Sequence, residues 1–270
     1  MAKQRILYVS PEITPYLPAT ENAKLGKALP TSMHGKKYEV RTFMPDYGSV
    51  NERRNQLHEV IRLSGLNVSI DDTDHPLIVK VASLQPSRIQ VYFIDNDDYF
   101  QKLDSDVDAV GSNRPDNDER ILFFCRTTAD TAGKLHWEPD ILQVSGWISS
   151  LIPLYVKKMF SNGVSFEGTK IIYSLLDETP VESLNPEIFR KLIEDGINPA
   201  DLEEFKDMPI DLNLLHKIGI ANSEAVIFNN RTPDPDLIKF AESKGLPILY
   251  LNPEEDNVDK YHEFYQSLLG

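Results

Sequence analysis

The chain has 270 residues, 41% of them hydrophobic, a formal net charge of −14 and one cysteine. That acidity argues against nucleic acid and anionic membrane surfaces as partners, because both select clustered Lys and Arg. The lone Cys125 excludes an internal disulfide and fits a reducing cytosol, and the length suits one α/β domain spanning residues 1–270.

A strand is expected over 6–10; its apolar run, Ile6 to Val9, is too short for a signal peptide, and no run reaches transmembrane length. The Asn67-Val68-Ser69 sequon therefore carries no expectation of glycosylation. A helix is expected over 22–29 and a strand over 39–44. Strands are expected at 59–63, 77–83 and 89–94; no helix separates the first two, so 57–83 should form a hairpin excursion. A strand at 141–144 lies between helices at 118–135 and 147–160. Strand 170–175 then precedes helices at 186–195, 199–205 and 212–220. Strands 225–228 and 248–251 enclose a helix at 235–244, and the last helix runs over 256–268. Pro186, Pro199 and Pro235 stand at helix starts, where the first-turn N–H has no partner in any case. Several strands are continuously apolar, as parallel strands buried on both faces are. The alternation predicts a single Rossmann-like, doubly wound parallel sheet with at least six parallel strands. In the last helix Tyr261, Phe264, Tyr265 and Leu268 share one face, so it should pack back onto the sheet.

Several segments approach motifs with a chemical meaning. Asp104, Asp106 and Asp108 copy the first three ligand positions of a calcium loop. Ala109 stands where the sharp turn needs Gly, and Pro115 where the bidentate Glu belongs, so a solvated acidic loop is expected and no metal. Residues 163–170, GVSFEGTK, approach a phosphate loop but transpose Thr and Lys and precede a strand, not a helix. Cys125 in Phe123-Phe124-Cys125 reads as a core thiol, and the six histidines show no ligand spacing. Ser145-Gly146 after a strand lacks the flanking Gly of a nucleophile elbow.

Residues 139–157, PDILQVSGWISSLIPLYVK, resemble a stretch of bacterial glycogen and starch synthases that runs P-D-[IV]-[IV]-H-A-H-D-W-H-T-A-L-[VI]-P-x-x-x-K. Pro139, Asp140, Trp147, Leu151, Pro153 and Lys157 keep the scaffold, whereas Gln143, Ser145, Gly146 and Ile148 replace His, His, Asp and His. The likeness extends along the chain in order. Residues 5–16 (RILYVSPEITPY) resemble the opening strand and S-x-E-x-x-P turn, and 116–126 (DNDERILFFCR) the D-N-x-x-R-F-x-x-F-x-R helix. Residues 170–177 (KIIYSLLD) fall where the family has a strand ending T-I-H-N, and 214–226 (LLHKIGIANSEAV) resemble N-F-L-K-A-G-I-x-x-A-D-x-V. The resemblance implies the N-terminal half of a two-domain glycosyltransferase B-type fold, with Trp147 packed beneath the site.

In that family the turn after the first strand carries K-x-G-G-L-x-D-V, whose Lys and glycines lie against the phosphates of the sugar nucleotide. Glycine lets backbone N–H groups approach an anion, and Lys supplies a point charge. Here Pro18 replaces the Lys, Thr20 and Glu21 the glycines, and Lys24 the Asp, so Glu21 opposes a diphosphate. The likeness covers the first of the family's two domains, and the second supplies the remaining diphosphate-stabilising charges. No nucleotide cofactor is therefore expected. A residual cleft at the strand ends would be lined by Ser10, Glu12, Tyr16, Glu21, Ser145, Asp177 and Lys217, with no catalytic residue among them and no metal. Glu12 and Lys217 match family positions, and Tyr16 and Glu12 could stack on and bond to a neutral glucan. Three readings stay open. One is a non-catalytic binding or regulatory homologue contacting an oligosaccharide or a protein. Another is an α-1,4-glucan glucosyltransferase of glycogen biosynthesis completed by a partner chain, and the third an unrelated enzyme that reuses the cleft. The expectation rests on the first, with no glucosyl transfer by this chain alone.

Overall fold

The computed structural model describes residues 3–102, 110, 114–160, 164–178 and 184–270; Asp104, Asp106 and Asp108 lie outside them. Its frame is one nine-stranded sheet. Strands β1 (Arg5–Val9), β2 (Glu39–Pro45), β3 (His58–Glu59), β6 (Ile78–Leu84), β7 (Ile89–Asp95), β8 (Ile141–Ser145), β9 (Lys170–Leu176), β10 (Ala225–Asn229) and β11 (Ile248–Tyr250) lie in the order β11-β10-β9-β8-β1-β2-β7-β6-β3. From β11 to β7 all seven are parallel, and β6 and β3 add an antiparallel edge. Every residue of β8 and β10 is buried, the signature of a sheet covered on both faces. The doubly wound expectation holds. Because β1 pairs with both β2 and β8, the chain winds outward in two directions from β1, and its switch point lies at the carboxyl ends of β1 and β8.

The helices are α1 (Glu21–Gly35), α2 (Glu52–Asn55), α3 (Asn117–Lys134), α4 (Ile152–Lys158), α5 (Ile188–Glu194), α6 (Leu212–Ala221), α7 (Pro235–Ser243) and α8 (Val258–Leu269). Three expectations change. The helix expected over 147–160 is a 3-10 turn, Trp147–Ser149, followed by α4. Pro153 supplies no N–H, and its ring opposes the carbonyl four residues back, which favours a break here and a fresh start with proline in the first turn, although α1 does continue through Pro30. Residues 199–205 form two 3-10 turns, Pro199–Asp201 and Glu203–Phe205. The strand expected at 59–63 shrinks to β3, and the excursion it belongs to contains a hairpin, β4 (Asn67–Ile70) with β5 (Thr73–Pro76). Asp71 and Asp72 at its tip both have positive φ, as a two-residue primed turn demands; without a Gly there the turn is hard to see in the sequence.

Helix α8 packs back on the sheet. Tyr261 and Tyr265 are buried, while Phe264 and Leu268 pack half-buried against the same core. The Tyr265 hydroxyl lies 3.1 Å from that of Tyr8 on β1 and donates to Gln143 Oε1 on β8 at 2.5 Å. Lys36 reaches Asp259 at 2.7 Å, and Gln266 donates to the Tyr38 hydroxyl at 2.6 Å. Among the described residues no helix is long and apolar enough to cross a membrane.

Candidate functional site

At the switch point β1 ends in Ser10-Pro11-Glu12, β8 in Ser145-Gly146, β9 in Asp177-Glu178 and β10 in Asn229-Asn230-Arg231, and these ends with the start of α1 form a crevice. Thr20 caps α1: its Oγ1 accepts the Ala23 N–H at 3.0 Å and donates to Glu12 Oε2 at 2.7 Å. The residue that replaces a family glycine therefore tethers Glu12. Gly26, one turn into α1, allows the helix to lie on the β1 turn, since a Cβ there would meet the Glu12 carbonyl oxygen at 2.2 Å. Asn22 donates to the Asp177 carbonyl oxygen at 2.8 Å, linking α1 to β9.

The crevice is acidic, and Lys24 and Arg231, the cations nearest to it among the described residues, are paired. Glu21 holds Lys24 at 2.7 Å, which keeps the Glu21 carboxyl below its ordinary range. Asp177 accepts both the Arg231 N–H and its guanidinium, the latter at 2.7 Å, and Glu254 takes the same guanidinium at 3.2 Å.

Glu178 holds the central position. Both its carboxylate oxygens face the Trp147 N–H, at 3.0 and 3.1 Å. Burial pushes its carboxyl up to about 8, against the lowering effect of that N–H and with a further rise from Glu12. His216 Nε2 stands 4.0 Å away, while its Nδ1 is 2.8 Å from the Tyr173 hydroxyl; burial lowers that imidazole to about 4. Near neutral pH the two therefore meet as uncharged groups, not as an ion pair. Gly146, at φ +81°, leaves room for this carboxylate: a Cβ there would lie 2.3 Å from Glu178 Oε1. The position that is Asp in the family pattern thus has its side-chain space filled from β9.

The other replaced positions have structural work. Gln143 anchors Tyr265 of α8, and Ile148 is a core residue whose carbonyl accepts from the Cys125 thiol at 3.2 Å. Burial pushes that thiol well up, so Cys125 is a packed thiol and no nucleophile. Trp147 is buried beneath the crevice.

Of the expected lining residues, Ser10, Glu12, Glu21, Ser145 and Asp177 come together. Tyr16 does not join them: it is buried edge-on to Phe93, centroids 4.9 Å apart, and lines a separate groove with Arg54 and His58. Lys217 pairs α6 with α7 through Asp236 at 2.6 Å, away from the crevice. Glu178, Asn22 and Arg231 escaped the sequence reading. The available signal was Asp177 where the family strand ends in Asn, followed at once by a second acid, Glu178. Asp46, Glu52 and Asp95 form the one carboxylate group among the described residues that could hold a metal ion, but the Lys80 ammonium sits among them at 2.6–2.9 Å. The phosphate-loop look-alike opens only the 3-10 turn Val164–Phe166 before β9 and aims no helix at a ligand.

Comparison with known proteins agrees with this architecture. Residues 5–246 match the family described as starch synthase catalytic domain. The glycogen synthase of Chlorobium luteolum is 33% identical over 198 residues, 73% of this chain and 40% of that protein. That of Chlorobium chlorochromatii is 33% identical over 212 residues, 78% and 42% respectively. The chain thus spans about two fifths of the length of the curated relatives it matches. The catalytic domain of starch synthase IV from Arabidopsis thaliana, solved bound to ADP and acarbose, superposes with a TM-score of 0.73 at 13% identity, over 93% of this chain and 51% of that one. The fold matches that of the glycosyltransferase, and the chain belongs to the starch synthase catalytic domain family.

Proposed function

We propose that this chain is a non-catalytic member of its family, a binding or regulatory homologue that transfers no glucosyl unit by itself and uses the fold to contact a glucan or a protein. The observation that carries the reading is Glu178, buried and seated on the Trp147 N–H in the space above Gly146. Transfer from a sugar nucleotide requires positive charge and N–H donors aimed at a diphosphate. Here the N–H at the turn is taken by the carboxyl group of Glu178, and Lys24 and Arg231 are neutralised by Glu21 and Asp177. A diphosphate brought within about 4 Å of an ionised carboxylate such as that of Glu21 meets roughly 1 kcal/mol of repulsion in water and about 4 kcal/mol in a partly desolvated cleft. The test is incubation of the purified chain with radiolabelled ADP-glucose or UDP-glucose and glycogen, alongside calorimetry with ADP. The expected result is no incorporation above background and no heat. Incorporation that disappears when Glu12 or Asp177 is replaced by Ala would restore the transferase reading.

A further inference from the structure

At the antiparallel end of the sheet lies a groove of about 610 Å³, and none of the described residues that line it is an Asp or Glu. It is lined by Arg54, Gln56 and His58 on the α2–β3 side and by Ser83, Gln85 and Gln90 of the β6–β7 hairpin. The cause is a short edge strand. β3 covers β6 only at Val81 and Lys80, and Gln56, at φ +55°, closes α2 and turns the chain away from the next positions of β6. Val79 shows how the backbone of β6 faces this edge. Its carbonyl accepts the Val60 N–H at 2.7 Å, and its own N–H donates to Ser64 Oγ at 3.0 Å, both outside the β6–β7 ladder. Strand alternation turns Ser83, four residues on, to the same side, where it meets no backbone partner among the described residues. An unpaired strand edge of this kind is a template for a further strand.

The charges around it select an acidic partner. Residues 51–66 and 78–90 hold five Lys and Arg against two Asp and Glu, in a chain that has 28 against 42. Lys80 takes up one of the two acids, Glu52, at 2.8 Å. The other, Glu59, follows His58 on β3 and so points to the opposite face of the sheet. Asp71, at the tip of the intervening β4–β5 hairpin, is tied to Arg190 and Lys191 of α5 at 2.6 and 3.3 Å. Arg53, Arg54, Arg62 and Arg88 are exposed and make no ion pair among the described residues. A compact anion finds one guanidinium in the groove, that of Arg54, and its approach is opposed by the net charge of −14. An extended chain adds main-chain bonds at Ser83 and runs on toward Arg88 in the β6–β7 turn. We propose that this groove docks an extended acidic segment of a partner protein, which pairs with the open edge of β6 at Ser83 and sets carboxylates against Arg54. The site lies away from the crevice and does not rest on the absence of transfer there.

The probe is a fluorescein-labelled hexapeptide of alternating Glu and Val, blocked at both ends and titrated with the full chain by fluorescence polarisation at 150 mM sodium chloride. There the Debye length of about 8 Å screens the distant acids while contacts inside the groove persist. The peptide should saturate with a dissociation constant on the order of 100 μM, and its Lys–Val counterpart should bind at least about tenfold more weakly. Arg54→Glu should remove saturation while circular dichroism stays native. Lys239→Glu makes the same charge change on exposed α7, beside β10 and β11 at the other end of the sheet, and should leave binding unchanged. Methylating the Val amide nitrogens of the peptide removes main-chain donors along one edge without altering charge, and should weaken binding at least about threefold. The proposal is overturned by absence of saturation at about 1 mM protein, by undiminished binding to a folded Arg54→Glu, or by equal binding of the methylated peptide. Tighter binding of inorganic tripolyphosphate than of the peptide also overturns it, in favour of a small-anion site.

Discussion

The carboxylate of Glu178 and the missing side chain of residue 146 share the same few ångströms. Gly146 lies at φ +81° and ψ 170°, a region of backbone space that only glycine occupies at ease, and a Cβ there would also meet Glu178 Oε1 at 2.3 Å. Gly146→Ala should therefore lose both backbone ease and room. We expect it to destabilise the chain by roughly 2–4 kcal/mol in urea melts, with Glu178→Ala recovering only the steric part in a double-mutant cycle. Additive effects of the two changes would sink this account. A second expectation concerns pH. Glu178 titrates near 8 when folded against an ordinary 4.5, so the folded chain keeps a proton there that the unfolded chain releases. Stability contributed by this group is complete below about pH 4.5, declines as pH rises through about 8, and is level above that. Glu178→Gln keeps an acceptor for the Trp147 N–H without titrating, so it should flatten the decline and be the more stable form at pH 9 by a few kcal/mol. The flattening is partial, because burial also raises Asp46 to about 7, which adds slope of the same sign. An unchanged pH profile in Glu178→Gln would contradict the protonated state. None of this was legible in the sequence: the loss of Asp at 146 was visible, but the side chain that fills its place arrives from 32 positions downstream, through the pairing of β8 with β9.

At the scale of elements, α8 shows how local pattern and tertiary contact divide the information. Its i, i+3, i+4 face is written in Tyr261, Phe264 and Tyr265, so its docking was readable; the polar lock beneath it was not. Gln143, read only as a lost histidine, accepts from Tyr265, whose oxygen also meets Tyr8. Tyr265→Phe leaves two buried polar groups with one partner fewer and should cost about 1–3 kcal/mol. Gln143→Leu in the same chain should return part of it, because the acceptor is then gone as well. The measurement is amide exchange along α8, which should quicken in the single variant and slow again in the double. Equal exchange in all three would mean that the hydroxyl is dispensable. The parallel strands were legible for a similar reason: runs such as AVIF in β10 are apolar throughout because helices cover both faces. The breaks were less legible. The gap between Ser149 and α4 falls at Pro153 whereas α1 runs on through Pro30, so proline alone does not mark a break, and the β4–β5 turn is made by two aspartates in place of the usual Asn-Gly.

Across the whole molecule, the formal charge of −14 and the acidic crevice act in the same direction on any anion that approaches. A protein that binds diphosphate through fixed Lys and Arg loses affinity as salt rises, since screening weakens an attraction. Here the nearby Lys24 and Arg231 are each paired at 2.7 Å, and what a distant anion meets is the surplus of carboxylates. The Debye length falls from about 30 Å at 0.01 M to about 8 Å at 0.15 M, so added salt removes that long-range repulsion before it touches the short internal pairs. Any residual association of ADP with this chain should therefore strengthen, or stay flat, between 10 mM and 150 mM sodium chloride, the opposite of an anion site's behaviour. The comparison can be made with one protein preparation by fluorescence or calorimetry at fixed pH. An ADP affinity that falls as salt is added would mean that an uncommitted positive cluster remains in the crevice, and the neutralised geometry around Glu21, Asp177 and Glu178 would then not describe the protein in solution.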